Sequence, residues 1–178
     1  MYVVSVPRFE RFFRAAAGLD VDKNDLKRYS DFVNRKIYDL LLRGEAAAKA
    51  NGRDVIAPFD LPITKGLQES IHEFRKLNEE VELQPILDHL MARPPLHLAY
   101  SVETEARLPE VAGGFSVALA RTFKIIDPNL KNPQSEQWER SFRVFNLLLS
   151  TQTTGAVSLR LAAGRLALRR CGSDSSRG

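Results

Sequence analysis

Over most of the chain, apolar residues return every three or four positions, the period of a helix that buries one face. The first such stretch predicts a helix over about 7–17. Phe9, Phe12, Phe13 and Ala16 form its apolar side, Pro7 suits a first turn, and Gly18 suits the left-handed residue that follows a helix. In the polar link "LDVDKND", Asp22 or Asn24 can cap what comes next. The strongest helix is expected over 25–50, where Leu26, Tyr29, Val33, Ile37, Leu40, Leu41 and Ala48 share a face. At about 1.5 Å per residue it spans about 39 Å. Asn51-Gly52 is its stop signal.

The stretch "GRDVIAPFD" follows. Val55-Ile56 predicts one or two extended residues. Asp60 is expected to cap a third helix with Pro62 in its first turn and with Leu67, Ile71, Phe74 and Leu77 on its face. "NEEVELQP" reads as an acidic hinge. A short helix is expected over 83–91, ended by "RPPL" because proline bars continuation. A second long helix is expected over 102–126, faced by Leu108, Val111, Ala112, Phe115, Leu119, Phe123 and Ile126, with Pro109 kinking or restarting it. Gly113-Gly114 lie near its middle, where two glycines cost about 1 kcal/mol each relative to alanine. Either a close helix crossing or a local break after Pro109 accounts for them. The link "DPNLKNPQSEQ" leads to a last helix carrying Trp138, Phe142, Phe145 and Leu149. The pattern is all-α: short, long and medium helices, given twice.

Charge changes the picture at one point. The net charge is +4, yet residues 1–149 are neutral. Residues 1–78 hold fourteen Lys and Arg against eleven Asp and Glu, residues 79–149 seven against ten, and residues 150–178 five against one. The basic character therefore belongs to the tail. The leucines of residues 150–178 do not gather on one helical face, so this tail reads as poorly packed or disordered, or else as an atypical C-terminus. A single cysteine, Cys171, allows no intrachain disulfide and fits a cytoplasmic protein. No apolar run approaches the roughly 20 residues of a membrane-spanning helix, and no signal peptide is evident.

The order of elements is that of the histone fold, and two motifs agree with it. "RFFRAAAG" (11–18) resembles the first-helix end of archaeal histones. "GRDVIAPFD" (52–60) resembles their second loop, where Gly-Arg precedes an extended apolar pair and an aspartate. Across residues 7–149, about four fifths of the chain, the sequence resembles a bacterial family of unassigned function whose members carry two histone-fold halves. The stretches that carry this resemblance are "FERFFRAAAGLDVDKNDLKRYSDFVNRK", "NGRDVIAPFDLPITKGLQESIHEFRKL" and "GGFSVALARTFKIIDPNLKNPQSEQWER". The resemblance implies halves at 1–80 and 81–149, closed on each other as a pseudodimer in one compact domain. The two long helices would then cross, with Gly113 and Gly114 as a close contact. Val21 would neighbour "DPNLK", and Val55-Ile56 would neighbour Ala99-Tyr100.

For function, the resemblance implies non-sequence-specific DNA binding through the first helix and first-half loops, with Arg8, Arg11, Arg14, Lys23 and Lys65 as contacts. Arg53 and Asp60 match a pair that forms a structural salt bridge in histones. The second half lacks the Gly-Arg, and only Lys124 and Lys131 lie near its corresponding loop. With about 3–5 phosphates neutralised, the log–log salt slope is about −3 to −4.5. The bland reading of the charges is a solvated surface of balanced pairs. Other chemistry finds no support. "HEFRK" (72–76) has Lys76 where a zinc-protease helix needs a second histidine, and His89 and His97 are separated by prolines. No enzyme, metal or cofactor is expected. Two function classes remain: a histone-like, nucleoid-associated DNA binder, and an assembly module that uses the fold for protein interaction or self-association without DNA.

Overall fold

The computed structural model describes residues 6–81 and 96–149. Within them lie five α-helices: α1 (Val6–Ala17), α2 (Lys23–Ala50), α3 (Lys65–Val81), α4 (Val102–Ile126) and α5 (Ser135–Leu149). Two short strands, β1 (Val55–Ile56) and β2 (Ala99–Tyr100), pair in parallel. The described residues are thus predominantly helical. The short helix expected over 83–91 and the tail from residue 150 lie outside them.

The local signals act largely as their chemistry dictates. Gly18 takes φ 61°, which lets its N–H reach back 2.8 Å to the Arg14 carbonyl and close α1. Asp22, not Asn24, caps α2. Its carboxylate accepts from the amides of Asn24 (2.6 Å) and Asp25 (3.2 Å), while Asp25 accepts in return from the Asp22 amide. At the other end Gly52, at φ 67°, allows the two reverse bonds that seal a helix, Gly52 to Lys49 and Arg53 to Ala48.

Three expectations need correction. Asp60 does not open α3. It ends a single 3-10 turn, Pro58–Asp60, and its carboxylate accepts from the Ala57 amide at 2.8 Å. The cap of α3 is Thr64, whose hydroxyl accepts from the Leu67 amide at 3.3 Å, so the helix starts at Lys65 and Pro62 stays outside it. Pro109 does not restart α4, which runs unbroken through it. Gly113 and Gly114 do mark a close approach, but to α3 rather than to the other long helix. A Cβ on Gly113 would overlap the Phe74 ring, and one on Gly114 would stand 2.6 Å from Ile71 Cγ1.

One hydrophobic core joins residues from both ends of the chain. Trp138 of α5 is fully buried, with Phe123 at 4.8 Å and Phe13 at 6.0 Å between ring centroids. Phe32 of α2 stacks on Phe142 of α5 at 4.6 Å and meets Phe145 edge-on at 5.1 Å. The two long helices touch through Tyr29 and Ser116, whose hydroxyls are 2.7 Å apart. Burial pushes the Tyr29 phenol up to about 12.

The loops between helices are paired across the chain. Val55 lies opposite Ala99 and Ile56 opposite Tyr100, as expected, and the Ile56 carbonyl also receives the Ser101 amide (3.0 Å) and the Thr104 hydroxyl (2.9 Å). At the other end of α2 the Asp20 amide donates to the Lys131 carbonyl at 2.7 Å, which places the loop holding Val21 beside the loop after α4.

Candidate nucleic-acid interface

The Asp20–Lys131 end is assembled from both halves of the sequence. Buried Leu19 and Val21 anchor its first loop. The second loop is a turn in which Asp127 Oδ1 accepts from the Asn129 amide at 3.0 Å, and Lys124 Nζ donates to the Leu130 carbonyl. Arg28 Nη1 donates to Ser135 Oγ at 3.1 Å, tying the start of α2 to the start of α5. On this frame Lys23, Lys27 and Lys131 are exposed, and their side chains hold no ion pair or hydrogen bond among the described residues. The amides that open α2 are occupied by the Asp22 carboxylate, so any attraction for phosphate here rests on the lysines. Close by, Asp25 is nearly buried, and that burial raises its carboxyl above the ordinary value despite the Asp22 amide and Arg28.

The residues the sequence singled out do not converge on one surface patch. Lys23 belongs to the loop end. Arg14 does too, but its guanidinium is spent on Asp20, at 2.8 and 3.2 Å. Arg11 is exposed along α1 with Nε on the Pro7 carbonyl at 3.3 Å, and Arg8 is half-buried one turn earlier. Lys65 belongs to neither loop pair. It opens α3, stands 3.9 Å from Glu69, and lines a shallow groove of about 440 Å³ with His72, Lys76 and Arg121. Lys131 was visible as a basic residue near a loop, but its place opposite Asp20 is a contact between residues remote in sequence, with no local pattern to announce it.

The β1–β2 end has a different chemistry. Arg53 grips Asp60 with both terminal nitrogens, one of them at 2.6 Å, and lies 4.5 Å over the Phe59 ring. Burial by itself would raise the Asp60 carboxyl, yet the Arg53 and Ala57 hydrogen bonds outweigh it and hold it below the usual range. Lys49 is bound to Glu45, and Glu45 also receives the His97 amide at 3.3 Å. The Lys49 hydrogen bond is the main reason the Glu45 carboxyl is lowered. Around these pairs stand exposed apolar side chains: Phe59 is 77% exposed and Val102 79%. Among the described residues no three His, Cys, Asp or Glu side chains group as a metal site, and no helix is long and apolar enough to cross a membrane.

Comparison with known proteins gives a family and a fold. The family model described as a domain of unknown function, DUF1931, matches residues 9–146. Two uncharacterized proteins of Aquifex aeolicus (strain VF5) are similar. One is 26% identical over 117 residues, which is 66% of this chain and 68% of that protein. The other is 29% identical over 135 residues, 68% of this chain and 78% of that protein. A protein from Thermus thermophilus, known from a crystal structure, is 57% identical with a TM-score of 0.74, covering 83% of this chain and all of its own. A crystal structure from Aquifex aeolicus matches at a TM-score of 0.71 and 23% identity, over 80% of this chain and 93% of its own, which speaks to the fold alone.

Proposed function

This chain belongs to the DUF1931 family, and on that premise we propose that it is a histone-like protein, two histone-fold halves closed as a pseudodimer, that binds DNA without sequence preference. The observation that carries the reading is the crossed loop pairing: the loop before α2 meets the loop before α5, and β1 meets β2. That pairing brings the loop of Lys23 beside the loop of Lys131, and both lysines are exposed. Cations on a paired-loop edge suit a phosphate backbone, which positions a protein without conveying sequence. Exposed Arg11 and half-buried Arg8 lie farther along α1 as further candidate contacts, and nucleoid association follows from the same reading.

A fluorescence-anisotropy titration of a labelled duplex tests it, using the full chain and a chain ending at Leu149. The shortened chain keeps every core residue found among the described residues, and the crystallised Thermus relative, matched along its whole length, corresponds to 83% of the present sequence. The shortened chain is expected to bind at low salt with a log–log salt slope of about −3, and Lys23→Glu should weaken it several-fold. Failure of the shortened chain to bind at low salt overturns the reading.

A second reading is favoured by exposed Phe59, Val55 and Val102: an assembly module in which the β1–β2 end meets a second copy of the chain and DNA plays no part. Sedimentation of the same shortened chain as a concentration-dependent dimer, with no duplex binding, is its signature.

A further inference from the structure

We infer that the molecule holds a DNA duplex at one end only and leaves it straight. This rests on the DNA-binding reading and adds the mode of binding. The two loop pairs are chemically opposite. Residues 14–28 and 124–135, which make the Asp20–Lys131 end, carry six Lys and Arg against four Asp. Three of those cations, Lys23, Lys27 and Lys131, are exposed and uncommitted among the described residues. Residues 45–60 and 97–105, which make the β1–β2 end, carry two Lys and Arg against five Asp and Glu. Both of these cations are taken, Lys49 by Glu45 and Arg53 by Asp60.

Among the described residues, what the β1–β2 end offers a phosphate is therefore exposed Asp54 and Glu103, with Val55, Phe59 and Val102 among them. Repulsion at short range and the loss of phosphate hydration against apolar side chains both oppose contact there. Bending a duplex smoothly around a protein takes grips at separated points whose contacts offset the deformation energy. A single lysine edge supplies one grip, so the duplex keeps its relaxed path. The ends differ by construction: the clamp that shapes the turn before α3 uses up the arginine that could otherwise face DNA.

Two measurements on the chain ending at Leu149 test this, alongside the full chain. The first is anisotropy with Lys131→Glu. The Lys131 side chain is exposed and only its carbonyl holds Asp20, so the variant keeps the loop pair. Affinity should fall about tenfold. The second is ligase-driven ring closure of a duplex of about 150 base pairs, roughly one persistence length. Saturating protein should leave the closure rate within about twofold of free DNA, while a double variant, Asp54→Lys with Glu103→Lys, should raise it. Binding accompanied by a tenfold faster closure in the unaltered chain, or an unchanged affinity for Lys131→Glu, overturns the inference and leaves DNA binding standing. No binding by the shortened chain at all overturns both.

Discussion

Asp60 is a carboxylate with almost no access to water, and it is kept ionised by one guanidinium and one backbone amide. Its folded pKa lies below its unfolded value, so the pair's contribution is complete above the ordinary carboxylate range. That contribution is lost as pH falls through the folded value. Thermal melts should therefore show the unaltered chain losing Tm below about pH 4, while Asp60→Asn starts from a lower Tm at pH 7 and has a shallower acid slope. An equal acid slope in the variant would remove Asp60 from the account. The pair was legible through the resemblance of this loop to the second loop of histones, not from residue spacing. Lys36 was not legible. It is 2% exposed, with its ammonium held by Asp39 at 3.1 Å and Asn146 at 2.9 Å. A lysine between Arg35 and Ile37 in a helix gives no local sign that a distant asparagine will meet it.

The helices show what periodicity can and cannot convey. Three/four spacing located α1, α2 and α5 closely, because each buries one face and end signals such as Asp22 and Gly52 mark the limits of α2; it located α4 as well, although that helix is buried on every side from Val111 to Val117. It misplaced the start of α3, because Asp60 and Thr64 are both competent caps and only the Arg53 contact decides which role Asp60 takes. The glycine pair in α4 left a close crossing and a local break both open, and the resemblance assigned the crossing to the other long helix. The neighbour is α3, and Phe74 fills the space a side chain at position 113 would need. Gly113→Ala should destabilise the fold by about 1–3 kcal/mol, as overpacking does, even though alanine is the better helix former. Gly66→Ala is the control, since a Cβ there meets nothing within 4 Å. It should be neutral or slightly stabilising. Denaturant melts that place both variants together would refute the packing account.

At the scale of the molecule, neither half is self-sufficient. Phe13, Tyr29 and Phe32 are covered by Trp138, Phe142, Phe145 and Ser116, all of which come from beyond residue 96. A fragment of residues 1–81 alone should lack a cooperative thermal transition, and mixing it with residues 82–149 should restore helical circular dichroism. A sharp transition in the isolated fragment would contradict the shared core. Which loops would pair across the chain came from resemblance rather than from residue spacing, since such contacts link remote positions. That remoteness has a consequence for the order of assembly. The Asp20–Lys131 contact closes more than twice as much chain as the Ile56–Tyr100 contact, so its closure costs over about 0.6 kcal/mol more entropy. During synthesis it must also wait until residue 131 has left the ribosome. The edge that carries Lys23 and Lys131 is thus the last to mature, and a nascent chain cannot offer polyanions a finished docking edge while it is still being made.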